Sequence, residues 1–128
     1  MQVEIRKIEK HEDARGWLAE VLRSDKVDEA IRQIHFSTSK PNTMRGNHYH
    51  KRKVEWFCVV KGIAKLLLED IRTKEKKELT LSEENLVSVA IYPYVLHTLK
   101  NIGKSNMHLI VIVNEVFNSE DPDTYSGA

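Results

Sequence analysis

Four residues stand out for their types and spacing: His48, His50, Glu55 and His97. His48 and His50 are two positions apart, so on a β-strand both imidazoles leave the same face. Glu55 lies one strand further on, alternating with Phe57 and Val59. If 51–53 form the connecting hairpin, its carboxylate shares the interior face with the two histidines. His97 opens another apolar-alternating segment, LHTLKNI. Three imidazoles and one carboxylate converging inside a barrel suit one borderline divalent ion, and zinc, manganese, iron and nickel all accept that donor set. Without a metal, His48 or His50 becomes a general base, because histidine titrates near working pH. His35 and His108 read as core histidines satisfied by a carbonyl, and His11 as part of a polar loop.

The elements that must position these groups are short apolar runs with period-two alternation, separated by charged or turn-forming residues. Strands are expected at 2–8, 16–23, 31–38, 43–50, 54–61, 63–70, 76–81, 87–92, 96–102 and 107–114, with a short helix over Asp25 to Ile31. Many strands with almost no helix define an all-β sandwich or barrel. Lys61-Gly62 reads as a tight turn between antiparallel strands, and Thr73 to Glu78 as a charged hairpin tip. The tail from Asn118 to Ala128 is polar and is expected along the surface. Two segments, Trp56 to Val60 and Leu109 to Val113, are apolar on both faces. A strand apolar on both sides is covered on both sides, which leads to the expectation of a homodimer.

At 128 residues and 14.9 kDa the chain is expected to be one domain, 1–128. Twenty basic against nineteen acidic side chains give a net charge of +1, too small a field to recruit nucleic acid, so an anionic ligand would need a local cluster. Cys58 is the single cysteine, which excludes an intramolecular disulfide. The N-terminal segment has no apolar core of a signal peptide, and no apolar run is long enough to span a bilayer, so a cytoplasmic location without membrane attachment is expected.

The segment Arg45 to Gly62, RGNHYHKRKVEWFCVVKG, resembles the first motif of the cupins, Gly-x5-His-x-His-x(3,4)-Glu-x6-Gly. His48, His50, Glu55 and Gly62 fall on it with the correct spacing. Asn42 stands at the leading glycine, and asparagine also visits left-handed backbone. Of the second motif, Pro-x-Gly-x2-His-x3-Asn, His97 and Asn101 match. Pro93 is one residue too close, and the glycine is missing from Tyr92-Pro93-Tyr94-Val95-Leu96. The resemblance implies a cupin double-stranded β-helix, that is, a jelly-roll barrel.

A closer resemblance runs along nearly the whole chain, through Asp13 to Glu20, Ser39-Lys40-Pro41, Arg45 to His50, Asn114 to Phe117 and Pro122 to Tyr125. These segments resemble the C-terminal cupin of bifunctional capsular-polysaccharide enzymes, which epimerise a 4-keto-6-deoxy UDP-hexosamine at C3 and reduce it. That resemblance implies bound zinc, an isomerase activity, a nucleotide-sugar substrate and a separate reductase. More distantly, Arg-Gly-x-His-x-His resembles the sugar-nucleotide 3,4-ketoisomerases, which need no metal and typically lack an acid at the position of Glu55. A non-catalytic metal- and sugar-binding cupin and a metal-dependent oxygenase are the further alternatives.

The chemistry so implied is loss of the C3 proton beside a C4 ketone to give an enolate, stabilised by a Lewis acid. Arg45 is the natural diphosphate clamp, since its planar fork pairs with phosphate oxygens. Strict alternation would turn it away from His48 unless Gly46 seats a bulge. Lys51 could extend the phosphate patch and Tyr49 could touch substrate. With a metal bound, Tyr49, Tyr92 and Tyr94 are the acid/base candidates.

Overall fold

The computed structural model describes residues 1–127, and its strands follow the alternation closely. In chain order they are β1 (Val3–Lys7), β2 (Lys10–Asp13), β3 (Gly16–Ala19), β4 (Gln33–Ser39), β5 (Met44–Tyr49), β6 (Glu55–Lys61), β7 (Ile63–Asp70), β8 (Lys76–Ser82), β9 (Val87–Ile91), β10 (Val95–Asn101), β11 (Met107–Val113) and β12 (Tyr125–Ser126). Two five-stranded antiparallel sheets face each other, ordered β1-β9-β6-β11-β4 and β12-β5-β10-β7-β8. This is the expected jelly-roll barrel.

Alternation builds its core. Phe57 and Val59 of β6, Leu66 and Leu68 of β7, Leu99 of β10, and Leu109, Val111 and Val113 of β11 form one buried cluster between the sheets. Apolar area lost here contributes about 25 cal/mol per Å², with each side chain held among close-packed neighbours. Phe57, Leu99, Leu109, Val111 and Val113 of this core also line the cavity that holds the histidines.

The second apolar face of β6 and β11 is covered by the chain itself. Val21, Leu22, Val27 and Ile31 lie over Val54, Trp56, Ala90 and Ile112. The layer for which a second subunit was expected is therefore supplied by residues 21–31. What stays bare is the outer row of edge strand β4, where Ile34 is 64% and Phe36 56% exposed.

Several expectations are corrected. The helix over Asp25 to Ile31 reduces to a 3-10 turn at Ser24–Lys26. The strand expected over 16–23 ends at Ala19 and pairs with β2, an unexpected strand. Asp13 makes that hairpin: its Oδ1 accepts the Arg15 amide at 2.8 Å, and Gly16 follows with φ +137°. The tail does not simply lie on the surface, because β12 pairs with β5 and Asp123 is only 1% exposed. His108 is half-buried, edge-on to Phe36 at 5.4 Å, and His35 is exposed, so neither is a core histidine. Among the described residues no helix is long and apolar enough to cross a membrane.

Candidate active site

A cavity of about 370 Å³ opens at the wet end of the barrel and has the four spaced residues on its wall. His48 comes from β5, Glu55 from the first residue of β6 and His97 from β10, while His50 follows β5 directly. His97 and His48 are register partners across β10 and β5. The pairing then slips: Thr98 faces Gly46, leaving Asn47 as the extra residue. Gly46 (φ +96°) and Asn47 (φ +57°) carry this bulge, as the glycine suggested. Arg45 consequently turns into the cavity alongside His48.

The donor atoms of His48, His50, Glu55 and His97 all lie within 4.8 Å of one another. Nδ1–H of His97 donates to the Val95 carbonyl at 3.0 Å, and Nδ1–H of His50 to the Asp123 carbonyl at 2.7 Å. Each bond fixes a ring so that its Nε2 points into the cluster. His50 Nε2 meets Glu55 Oε1 at 2.8 Å. His97 Nε2 also approaches that oxygen, to 3.2 Å, but out of line for a hydrogen bond. It remains a buried nitrogen without a hydrogen-bond partner. Buried polar atoms are normally paired, so this lone pair lacks a cation or a proton donor. The donor set fits a divalent ion: tethered imidazoles, a carboxylate and an orphaned nitrogen.

Charge within the cluster follows from burial and proximity. Burial pushes the Glu55 carboxyl up, but the hydrogen bond from His50 and the charges of His97 and His50 outweigh it, and its pKa falls well below the ordinary range. Burial pushes His50 down, yet its bond to Glu55 leaves it raised overall. His48 has no such partner. Burial, then the charges of His97 and His50, lower its pKa to about 4, so it is neutral at working pH and offers a lone pair.

The C-terminal segment is the support that no local sequence signal revealed. The Asp123 carboxylate accepts the amides of Lys51, Arg52 and Lys53 at 2.9, 2.8 and 3.0 Å. Lys53 is buried and donates Nζ to the Pro122 carbonyl at 3.0 Å. Thr124 and Phe117 reach the cavity rim with it. Bidentate pairing of Arg52 with Glu115 pins the strap further, though exposed pairs of this kind add little.

Four expected site residues are not on the cavity wall. Tyr49 alternates outward and stacks between Tyr94 and Tyr125, at 6.4 and 5.4 Å. Tyr94 also lies against Arg72, and it occupies the missing glycine position of the second motif with φ +67°. Tyr92 packs on the outer layer, where burial and the neighbouring Glu29 push its hydroxyl up to about 12. Lys51 is exposed, its ammonium 4.3 Å over the Tyr125 ring. The cavity lining includes none of the four. Three wall residues that were not expected, Gln33, His35 and Ser37, come from β4.

A closed jelly roll with a His3Glu cluster at its open end defines a cupin. A family profile described as the polysaccharide biosynthesis C-terminal domain matches residues 11–125, and the chain belongs to that family. It is 36% identical over 116 residues to a UDP-2-acetamido-2,6-beta-L-arabino-hexul-4-ose reductase of Pseudomonas aeruginosa, covering 91% of this chain and 30% of the relative. Among solved structures it is similar to the capsular polysaccharide assembling protein CapF of Staphylococcus aureus, with TM-score 0.73 and 31% identity over 93% of this chain and 34% of the other. The chain thus spans about a third of the length of these two relatives. It also overlays, at TM-score 0.84 and 19% identity, the dTDP-6-deoxy-D-glucose-3,5-epimerase RmlC of Legionella pneumophila, covering 97% of this chain and 71% of that one, a likeness of fold.

Proposed function

We propose that this chain is a single cupin domain acting as a metal-dependent sugar-nucleotide epimerase in surface polysaccharide synthesis. The substrate is a nucleotide-linked 4-keto-6-deoxy hexose that is deprotonated and reprotonated at C3. The observation that carries the reading is the buried, unpartnered Nε2 of His97 beside His48, His50 and Glu55, at the floor of a cavity large enough for a hexose. His48, His50, Glu55 and His97 would hold the ion, zinc first and manganese, iron or nickel as alternatives. When bound, the ion supplies a Lewis acid for charge developing on the C4 oxygen.

Other features agree. Arg45 reaches the cavity wall while Nε donates to Ser39 Oγ and one Nη to the Thr38 carbonyl, leaving its second Nη for a diphosphate oxygen. A relative of which this chain covers 30% is named a reductase, and a separate reductase is the partner proposed to act on the product. A nucleotide-sugar substrate agrees with a cytoplasmic reaction. Ile34 and Phe36 on edge strand β4 offer a face for self-association into a homodimer.

The test is incubation with UDP-linked 4-keto-6-deoxy hexoses in heavy water, with metal analysis of wild type and His50→Ala. Deuterium at C3 together with near-stoichiometric metal that His50→Ala loses is the expected result. Label without metal in either protein would move His48 and His50 from ligands to acid/base groups, as in a 3,4-ketoisomerase. Metal without label would leave a sugar-binding cupin.

A further inference from the structure

We propose that His35 is the catalytic base that takes the C3 proton, a role resting on the epimerase reading above. Its position follows from pairing. His35 of β4 is the register partner of Val111 on β11, and Val113, two residues along, is the partner of Glu55 on β6. Two strand spacings across and two residues along separate the Cα atoms of His35 and Glu55 by about 12 Å. That gap admits one pyranose ring, with the His3Glu cluster at its C4 oxygen and the His35 imidazole at its edge. His48 and His97 sit in the facing sheet, so His35 meets the ring from a different wall.

The other nitrogen-bearing side chains of the wall are committed elsewhere. The four cluster groups serve as ligands in that reading. The Lys53 ammonium is tied to the Pro122 carbonyl, Gln33 accepts the Phe117 amide at 2.8 Å, and Arg45 holds Ser39 and Thr38. The tyrosines lie outside. Among the described residues His35 is thus the wall imidazole outside the cluster, with no bonding partner and a ring nitrogen able to accept a proton. It is also exposed at the mouth, with free exchange to solvent.

The step balances. Neutral His35 accepts the C3 hydrogen as a proton. The C–H electron pair becomes the C3–C4 double bond, and the C4 carbonyl oxygen takes the negative charge. A proton from water then enters C3 on the opposite ring face as the ketone re-forms, and the imidazolium releases its proton to solvent.

The experiment uses zinc-loaded full-length chain and UDP-linked 4-keto-6-deoxy-N-acetylhexosamine in heavy water, comparing wild type, His35→Asn and His35→Ala. His35→Asn is expected to slow C3 labelling by about 10²–10⁴-fold. Zinc content and substrate Kd should stay within twofold of wild type. Added imidazole should restore labelling in His35→Ala with saturation, a rescue that a purely structural role would not show. Wild-type labelling rates in His35→Asn would overturn the role of His35 and leave the epimerase reading standing. Slow labelling that imidazole does not restore, or that accompanies lost zinc, would do the same. Absence of label in wild type defeats the epimerase reading and this inference with it.

Discussion

The carbonyl oxygen of Asp123 stands 2.7 Å from Nδ1 of His50, and the carboxylate of the same residue gathers the three amides that follow His50. One residue near the C-terminus therefore sets both the turn and the ring orientation of a cluster histidine 73 positions earlier. Its carboxyl is burdened by burial, but the three amides outweigh that and hold its pKa low. Asp123→Ala removes the anchor and frees the strap. Stability should fall by about 2–4 kcal/mol, and metal affinity by about 10–100-fold. Denaturant melts and chelator competition measure the two effects. Unchanged chelator competition in Asp123→Ala would show that His50 is oriented by something else.

Gly46 is where the bulge brings two strands into contact. A Cβ there would lie 2.7 Å from the His97 carbonyl oxygen, at a φ of +96° that side chains rarely adopt. Both partners are main chain, so neither yields easily. Gly46→Ala should destabilise the chain by about 2–4 kcal/mol and displace His97 from His48. Thermal melting and metal content should drop together. A variant with wild-type melting would mean the bulge rearranges at little cost.

Metal-free protein should show the protonation of the cluster as pH dependence. His48 is held down to about 4 from its ordinary 6.5, so the unfolded chain binds the proton more readily between those values. Folding loses stability as pH falls from 6.5 towards 4. The paired groups act differently. Depressed Glu55 contributes stability above about 4.5 that is lost as pH falls through its lowered value, and raised His50 contributes below about 6.5 and loses it as pH rises through its raised value. Chelator-treated wild type should thus lose melting temperature relative to His48→Asn between pH 7 and pH 4. Parallel curves would show that His48 stays solvated in the folded protein.

Spacing made the cluster legible because period-two alternation carries His48, His50 and Glu55 to one face whatever the loop details. Gly46 announced the bulge, and Asn42 sits at φ +63° where the motif has glycine. β4 misled for a physical reason. His35 reads from sequence as a core histidine satisfied by a carbonyl, but at the open end the inner face of β4 borders a wet cavity. Gln33, His35 and Ser37 occupy that face. Asp123 was invisible because its partners are main-chain amides 70–72 residues away, and an acidic residue in a polar tail has no periodicity to betray it.

Asn101 separates fold from site. It is fully buried; its Nδ2 donates to the carbonyls of Ser39 at 3.0 Å and Ser105 at 2.9 Å, and its Oδ1 accepts the Gly103 amide at 2.9 Å. It therefore fastens the ends of β4 and β10 to the 102–106 turn, away from the ligands. Asn101→Leu leaves three main-chain groups unpaired and should cost about 3–5 kcal/mol. Asn101→Asp should be at least as damaging, since it sets an acceptor against two carbonyls and buries a charge. Molecules of either variant that remain folded should still bind metal with wild-type stoichiometry. A loss of metal without a loss of stability would make Asn101 part of the site and not of its frame.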